Sequence, residues 1–83
     1  MRPRELASKL TDAFIDGQPT GALLEGAPEE TVSNALTLAR NTSEQVRHHA
    51  RRYAQAPTSE TWAAIPERMR HLVDRYIRSR RAK

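Results

Sequence analysis

Ser33, Asn34 and Thr37 fall within about one and a half helical turns of each other, with Glu30 before them and Arg40 after. At about 3.6 residues per turn, that spacing lines them along one side of a helix. An asparagine amide can donate to and accept from the edge of an adenine at once. A threonine offers a hydroxyl for a phosphate and a methyl for the methyl of thymine. Arg47, Arg51 and Arg52 follow, and guanidinium groups at such a spacing suit phosphate oxygens. Gln18 and Thr20 precede the group and could hold a nucleic-acid backbone, which fixes position without reading sequence. The chemistry on offer is recognition rather than catalysis. The plainer alternative is that both sets are solvated helix surface, where charged side chains contribute little.

For such a side to enter a major groove, a preceding helix must brace it through a sharp turn. Ala22, Gly26 and Val32 stand four and six residues apart. They could supply a small residue at the helix crossing, a glycine for a positive-φ turn, and a β-branched side chain pointing back. The spacing predicts a helix-turn-helix near 20–40, with Glu29–Arg40 as its recognition helix. Two positions depart from that pattern. Glu25 stands where a packed residue is usual, and Gly21 stands where an aliphatic one is usual. Leu23 and Leu24 could fill the gap only if the short helix is rotated. Glu29 and Glu30 would also repel phosphates, unless offset by the basic half or used on a cytosine amino group.

The remaining chain reads as helices. Leu6, Leu10, Ala13 and Phe14 recur at helical spacing, predicting a helix over 3–16 with Pro3 in its first turn and Gly17 beyond its end. A short helix over about 20–25 follows, with Thr20 as N-cap. Val32, Leu36, Ala39, Ser43, Val46, Ala50 and Tyr53 alternate four and three apart, compatible with one helix over 28–56. Asn41-Thr42-Ser43-Glu44, however, is rich in capping residues, so a break near Asn41 is the preferred expectation. Pro57 ends that segment, and Thr58 or Ser59 caps a short one holding Trp62 as a core plug. Pro66 then kinks that segment or begins a last helix, reaching about residue 80. There is no internal repeat.

Eighty-three residues suit one domain, expected here as all-α with four to five helices. With 37% hydrophobic and 29% charged residues, wholesale disorder is not expected. No cysteine is present, which excludes disulfides and thiolate metal sites. No apolar run reaches a membrane span, and the N-terminus lacks a signal-peptide core, so a cytoplasmic location is expected. Twelve arginines against two lysines, with many alanines, suggest a GC-rich bacterial, plasmid or phage gene. The net charge of +4 is unevenly spread: residues 1–45 carry −3 and residues 46–83 carry +7. His48 and His49 are adjacent and should point apart, and His71 is alone, so no metal set is expected. Neither a base–orienter pair nor a glycine-rich phosphate loop is visible. The chain reads as a non-enzyme without a cofactor.

Thr31-Val32-Ser33-Asn34-Ala35-Leu36, followed by Thr42-Ser43-Glu44-Gln45-Val46-Arg47, resembles the headpiece of the lac repressor family. There a similar threonine-valine-serine opens the recognition helix and a serine-glutamate cap opens the third. Asp16-Gly17-Gln18-Pro19, together with Ala64-Ile65-Pro66-Glu67 opening a basic C-terminal helix, is similar to the TrfB-type plasmid repressors. Those are small helix-turn-helix proteins that dimerise through their C-terminal part. The resemblances imply a small repressor that binds a double-stranded operator as a homodimer.

Ile65, Met69, Leu72, Val73, Tyr76 and Ile77 make a broad apolar side on the last helix, which could meet a second subunit. The same residues could instead close the monomer's own core. A basic helix lying on an anionic membrane is disfavoured, because Glu67 and Asp74 read better as partners of Arg70 and Arg78. The leading expectation is a sequence-specific DNA-binding transcriptional repressor. A helical protein-binding module, such as an inhibitor or adaptor with acidic and basic docking surfaces, is the main rival. An RNA-binding helical protein is the third.

Overall fold

The computed structural model describes residues 2–81. It is all-helical, with five helices among the described residues: α1 (Pro3–Asp16), α2 (Gly21–Leu24), α3 (Glu29–Gln55), α4 (Ser59–Ala63) and α5 (Glu67–Arg81). The chain gathers into two compact units, one up to Ser43 and one from Glu44 onward, with α3 contributing to both.

In the first unit, α1 begins with proline in its first turn, where the missing N–H costs nothing. It ends at Gly17, whose φ of 72° is left-handed, and the N–H groups of Gly17 and Gln18 both return to the Ala13 carbonyl. Leu6, Ala7 and Leu10 form a core with Ala35 and Ala39 of α3. The two alanines have no bulk to hold a neighbouring backbone away. Thr11 is buried in α1, and its hydroxyl donates to the Ala7 carbonyl at 2.8 Å, so no polar group is stranded.

The short helix α2 differs from expectation in which face it buries. Ala22, expected at the helix crossing, is exposed, whereas Leu23 and Leu24 pack against the core. The larger apolar area of the two leucines outweighs the fit of one small residue. This is the rotated arrangement that Glu25 and Gly21 require, and Glu25 is exposed. Thr20 holds the N-cap position, but its side chain makes no capping bond.

The expected break near Asn41 is absent: α3 runs unbroken for 27 residues, about 40 Å. The alternating apolar seam prevails over the capping residues. Ala39, Ser43, Val46 and Ala50 are all buried. Ser43 does not cap a new helix; its hydroxyl donates to the Arg40 carbonyl at 3.1 Å within the running one.

In the second unit, Thr58 caps α4 through a reciprocal box. The Thr61 N–H donates to Thr58 Oγ1 at 3.2 Å, and the Thr58 N–H donates to Thr61 Oγ1 at 3.0 Å. Pro66 sits just before α5, beginning the helix rather than kinking the one before it. Arg70 is not paired with Glu67 as expected. Its Nε and Nη2 donate to the Ile65 and Ala63 carbonyls, at 3.1 and 3.3 Å, serving backbone acceptors that the end of α4 leaves open. Arg78 pairs with Asp74 at 3.0 Å, as the spacing implies. Val46, Ala50, Ile65, Met69 and Val73 are the buried apolar side chains of this unit.

Candidate nucleic-acid interface

The first candidate surface follows the turn at Gly26. Its φ of 75° is left-handed, which a residue with a side chain rarely adopts. Ala27 and Pro28 lead into α3, whose first backbone bond runs from the Val32 N–H to the Pro28 carbonyl at 2.9 Å. Glu29 and Glu30 then lie in the first turn, where carboxylates complement the positive end of the helix dipole. Both side chains are exposed. Two acidic residues at that place stabilise the helix whatever it binds.

With Ala35 and Ala39 fixed inward, the opposite side of α3 is set by the helical period. Ser33, Asn34, Thr37 and Arg40 are all exposed there, together with Glu30. The arrangement leaves the Asn34 amide available as both donor and acceptor. Thr37 is more restricted, because its hydroxyl hydrogen is committed to the Ser33 carbonyl at 3.1 Å. Its oxygen can accept a hydrogen bond and its methyl can make apolar contact, but it is not poised to donate to a phosphate. Gln18 is exposed and Thr20 half-buried, each in the connection before α2.

Leu38 is the one exposed large apolar side chain among the described residues, at 48%. Reading the sequence for polar contacts missed it. The signal was present, since Leu38 lies off the seam that holds Leu36 and Ala39. It shares a side with Asn34 and Asn41, four and three residues away.

The second unit carries the other candidate surface. Arg47, Arg51 and Arg52 are exposed on the C-terminal part of α3, and among the described residues none has an ion-pair partner. Arg47 and Arg51 are one turn apart and share a side. His48 and His49 do not diverge as expected: their rings meet edge to face with centroids 5.5 Å apart. Desolvation pushes the His49 pKa down, and neighbouring His48 and Arg52 push it the same way. Among the described residues, no set of three His, Asp or Glu side chains could hold a metal ion.

The apolar side expected to meet a second subunit is divided by burial. Ile65, Met69 and Val73 are 2%, 5% and 0% exposed, so they are already covered within the chain and are not free to face a copy of it. Leu72, Tyr76 and Ile77 are half-buried and keep some apolar surface. No described helix is long and apolar enough to cross a membrane. Comparison with known proteins finds no family model, no curated relative and no solved structure that matches the chain.

Proposed function

We propose that this chain is a sequence-specific DNA-binding protein that acts as a homodimeric transcriptional repressor. One observation carries the reading. Exposed Ser33, Asn34 and Thr37 lie near the start of the helix that follows the positive-φ turn at Gly26, and the opposite side of the same helix is anchored by buried Ala35 and Ala39. A rigid, anchored helix with small polar side chains outward suits a major groove, where bulk near the helix start would hold it off the bases. Asn34 would read an adenine edge, and Thr37 would accept from a base amino group or touch a thymine methyl. Arg47, Arg51 and Arg52 would neutralise phosphates, and Gln18 would contact the backbone. The half-buried Leu72 supplies apolar surface for a two-fold contact.

Selection of duplexes from a random pool tests the proposal. An enriched motif, bound at least a thousandfold more tightly than random DNA and weakening steeply with salt, is the expected result. Asn34→Ala should relax discrimination at one base pair by about 1–3 kcal/mol, and Arg51→Ala should weaken all sequences alike. Binding without sequence preference overturns the reading.

A protein-binding module remains the second reading, favoured by Leu38. Leu38 offers an exposed apolar side chain on a helix, which a partner's groove could cover. Leu38→Ala should leave duplex binding largely unchanged if the first reading holds, and should abolish partner capture if the second does.

A further inference from the structure

Within the second unit, the end of α3 and the C-terminal part of α5 enclose an open groove of about 400 Å³. Its apolar lining comes from Ala50, Tyr53, Ala54 and Pro57 on one side and from Tyr76 and Ile77 on the other. The hollow exists because residues 50 and 54, one turn apart, are alanines, while flanking Tyr53 and Tyr76 are large. Three exposed arginines, Arg51, Arg80 and Arg81, also line it, and among the described residues no carboxylate does. Among the described residues, none of the three has an ion-pair partner. Arg80 lies over the Tyr76 ring, 4.9 Å from its centroid, a contact that holds the guanidinium beside the groove without neutralising it. The adjoining depression, reached past Tyr53 and Ile77, is lined by both Asp74 and Arg81, so the positive end of the groove is the one with Arg51 and Arg80.

We propose that this groove binds a small amphiphilic carboxylate, an alkyl or aryl acid, with its apolar part between Tyr53, Ala54 and Ile77 and its carboxylate on the arginines. The volume falls in the range of small-molecule sites, and the lining is mostly apolar with a few polar groups, as such sites are. Charge complementarity decides the head group. Three unpaired guanidinium groups favour an anion and disfavour a cation, and a guanidinium fork matches a carboxylate with two parallel hydrogen bonds. The proposal does not depend on DNA binding, and its test contains no DNA.

Trp62 is the only tryptophan in the chain and meets Tyr53 edge to face at 5.3 Å, so its emission reports on a wall of the groove. The intact chain is titrated with decanoate, decanol and decyltrimethylammonium, each below its micelle concentration, and calorimetry checks the stoichiometry. The expected result is saturable one-to-one binding of decanoate, at least tenfold tighter than decanol, with the cation weaker still. Arg51→Gln should reduce the preference for decanoate over decanol at least threefold. Ala54→Phe, a change at an exposed position that fills the hollow, should abolish saturable binding of both while leaving the circular dichroism spectrum unchanged. Equal affinity for decanoate and decanol overturns the proposal. So does a signal that appears only where micelles form, or binding that survives Ala54→Phe.

Discussion

Tyr53 near the end of α3 and Trp62 in α4 meet with ring centroids 5.3 Å apart and planes at 66°. This edge-to-face contact places the positive rim of one ring on the negative face of the other, and it ties a five-residue helix that could not persist alone to a long one. Both rings are half-buried. Removing a fully buried tryptophan costs about 3–5 kcal/mol, so Trp62→Ala should cost roughly 2 kcal/mol at this exposure. A double-mutant cycle with Tyr53→Leu and Trp62→Leu, read by urea unfolding followed at 222 nm, should give a coupling of about 0.5–1.5 kcal/mol. Strict additivity would show that the rings merely lie close.

Ser43 distinguishes an unbroken α3 from two helices. As the N-cap of a separate helix its loss would cost about 1 kcal/mol. Inside a running helix its hydroxyl donates to the Arg40 carbonyl, a bond that competes with the ladder it joins. Ser43→Ala removes that competition and adds helix propensity, so stability should change by no more than about 0.5 kcal/mol in either direction. The measurement is the urea midpoint of the two proteins side by side.

Much of the helical layout was legible because it rests on periodicity and end signals. Pro3 and Gly17 bracket α1 at the bounds their chemistry implies, and the seam from Val32 to Tyr53 marks the side that α3 buries. The misread places share a cause: a local preference competed with a tertiary one. Asn41 to Glu44 carry capping groups, yet Ser43 and Val46 bury area only if the helix continues. Ala22 suits a helix crossing, yet turning Leu23 and Leu24 inward buries more. Glu67 lies at the right spacing for Arg70, yet the open carbonyls of Ala63 and Ile65 hold the guanidinium instead. The candidate site was legible as a polar side of α3. The groove beside Arg51 was not, because its two sides come from stretches at residues 50–57 and 76–81 that no local pattern connects.

Leu10 is 0% exposed at the centre of the α1–α3 core, whereas Leu38 is 48% exposed on α3. Leu10→Ala should therefore cost about 2–5 kcal/mol, a loss of transfer free energy plus an incompletely collapsed cavity. Leu38→Ala should stay within about 0.5 kcal/mol. Thermal and urea unfolding of both variants checks the contrast. A large loss at Leu38 would mean that its side chain is covered in solution.

His49 makes stability depend on pH in a definite direction. Desolvation, with help from His48 and Arg52, lowers its folded pKa below the ordinary 6.5. The unfolded chain therefore takes up a proton more readily than the folded one as the medium is acidified. The contribution is fully present above about pH 6.5 and declines as pH falls from there toward the folded pKa. Unfolding midpoints should drop between pH 7.5 and 5, and His49→Gln should flatten that part of the profile. An unaltered slope in the variant would assign the pH dependence to other groups.

Gly26 offers the most direct test of the turn on which the proposed reading surface depends. A Cβ built there meets nothing within 4 Å, so a side chain is opposed only by the backbone conformation at φ 75°. Gly26→Ala should cost about 1–2 kcal/mol, the penalty of a left-handed alanine, while Gly26→Asn should cost less, because asparagine tolerates that region. If the turn presents α3 to a duplex, the alanine variant should also lose affinity beyond what its stability loss explains, and the asparagine variant should recover most of it. Equal costs for alanine and asparagine would mean that the turn is not left-handed in solution.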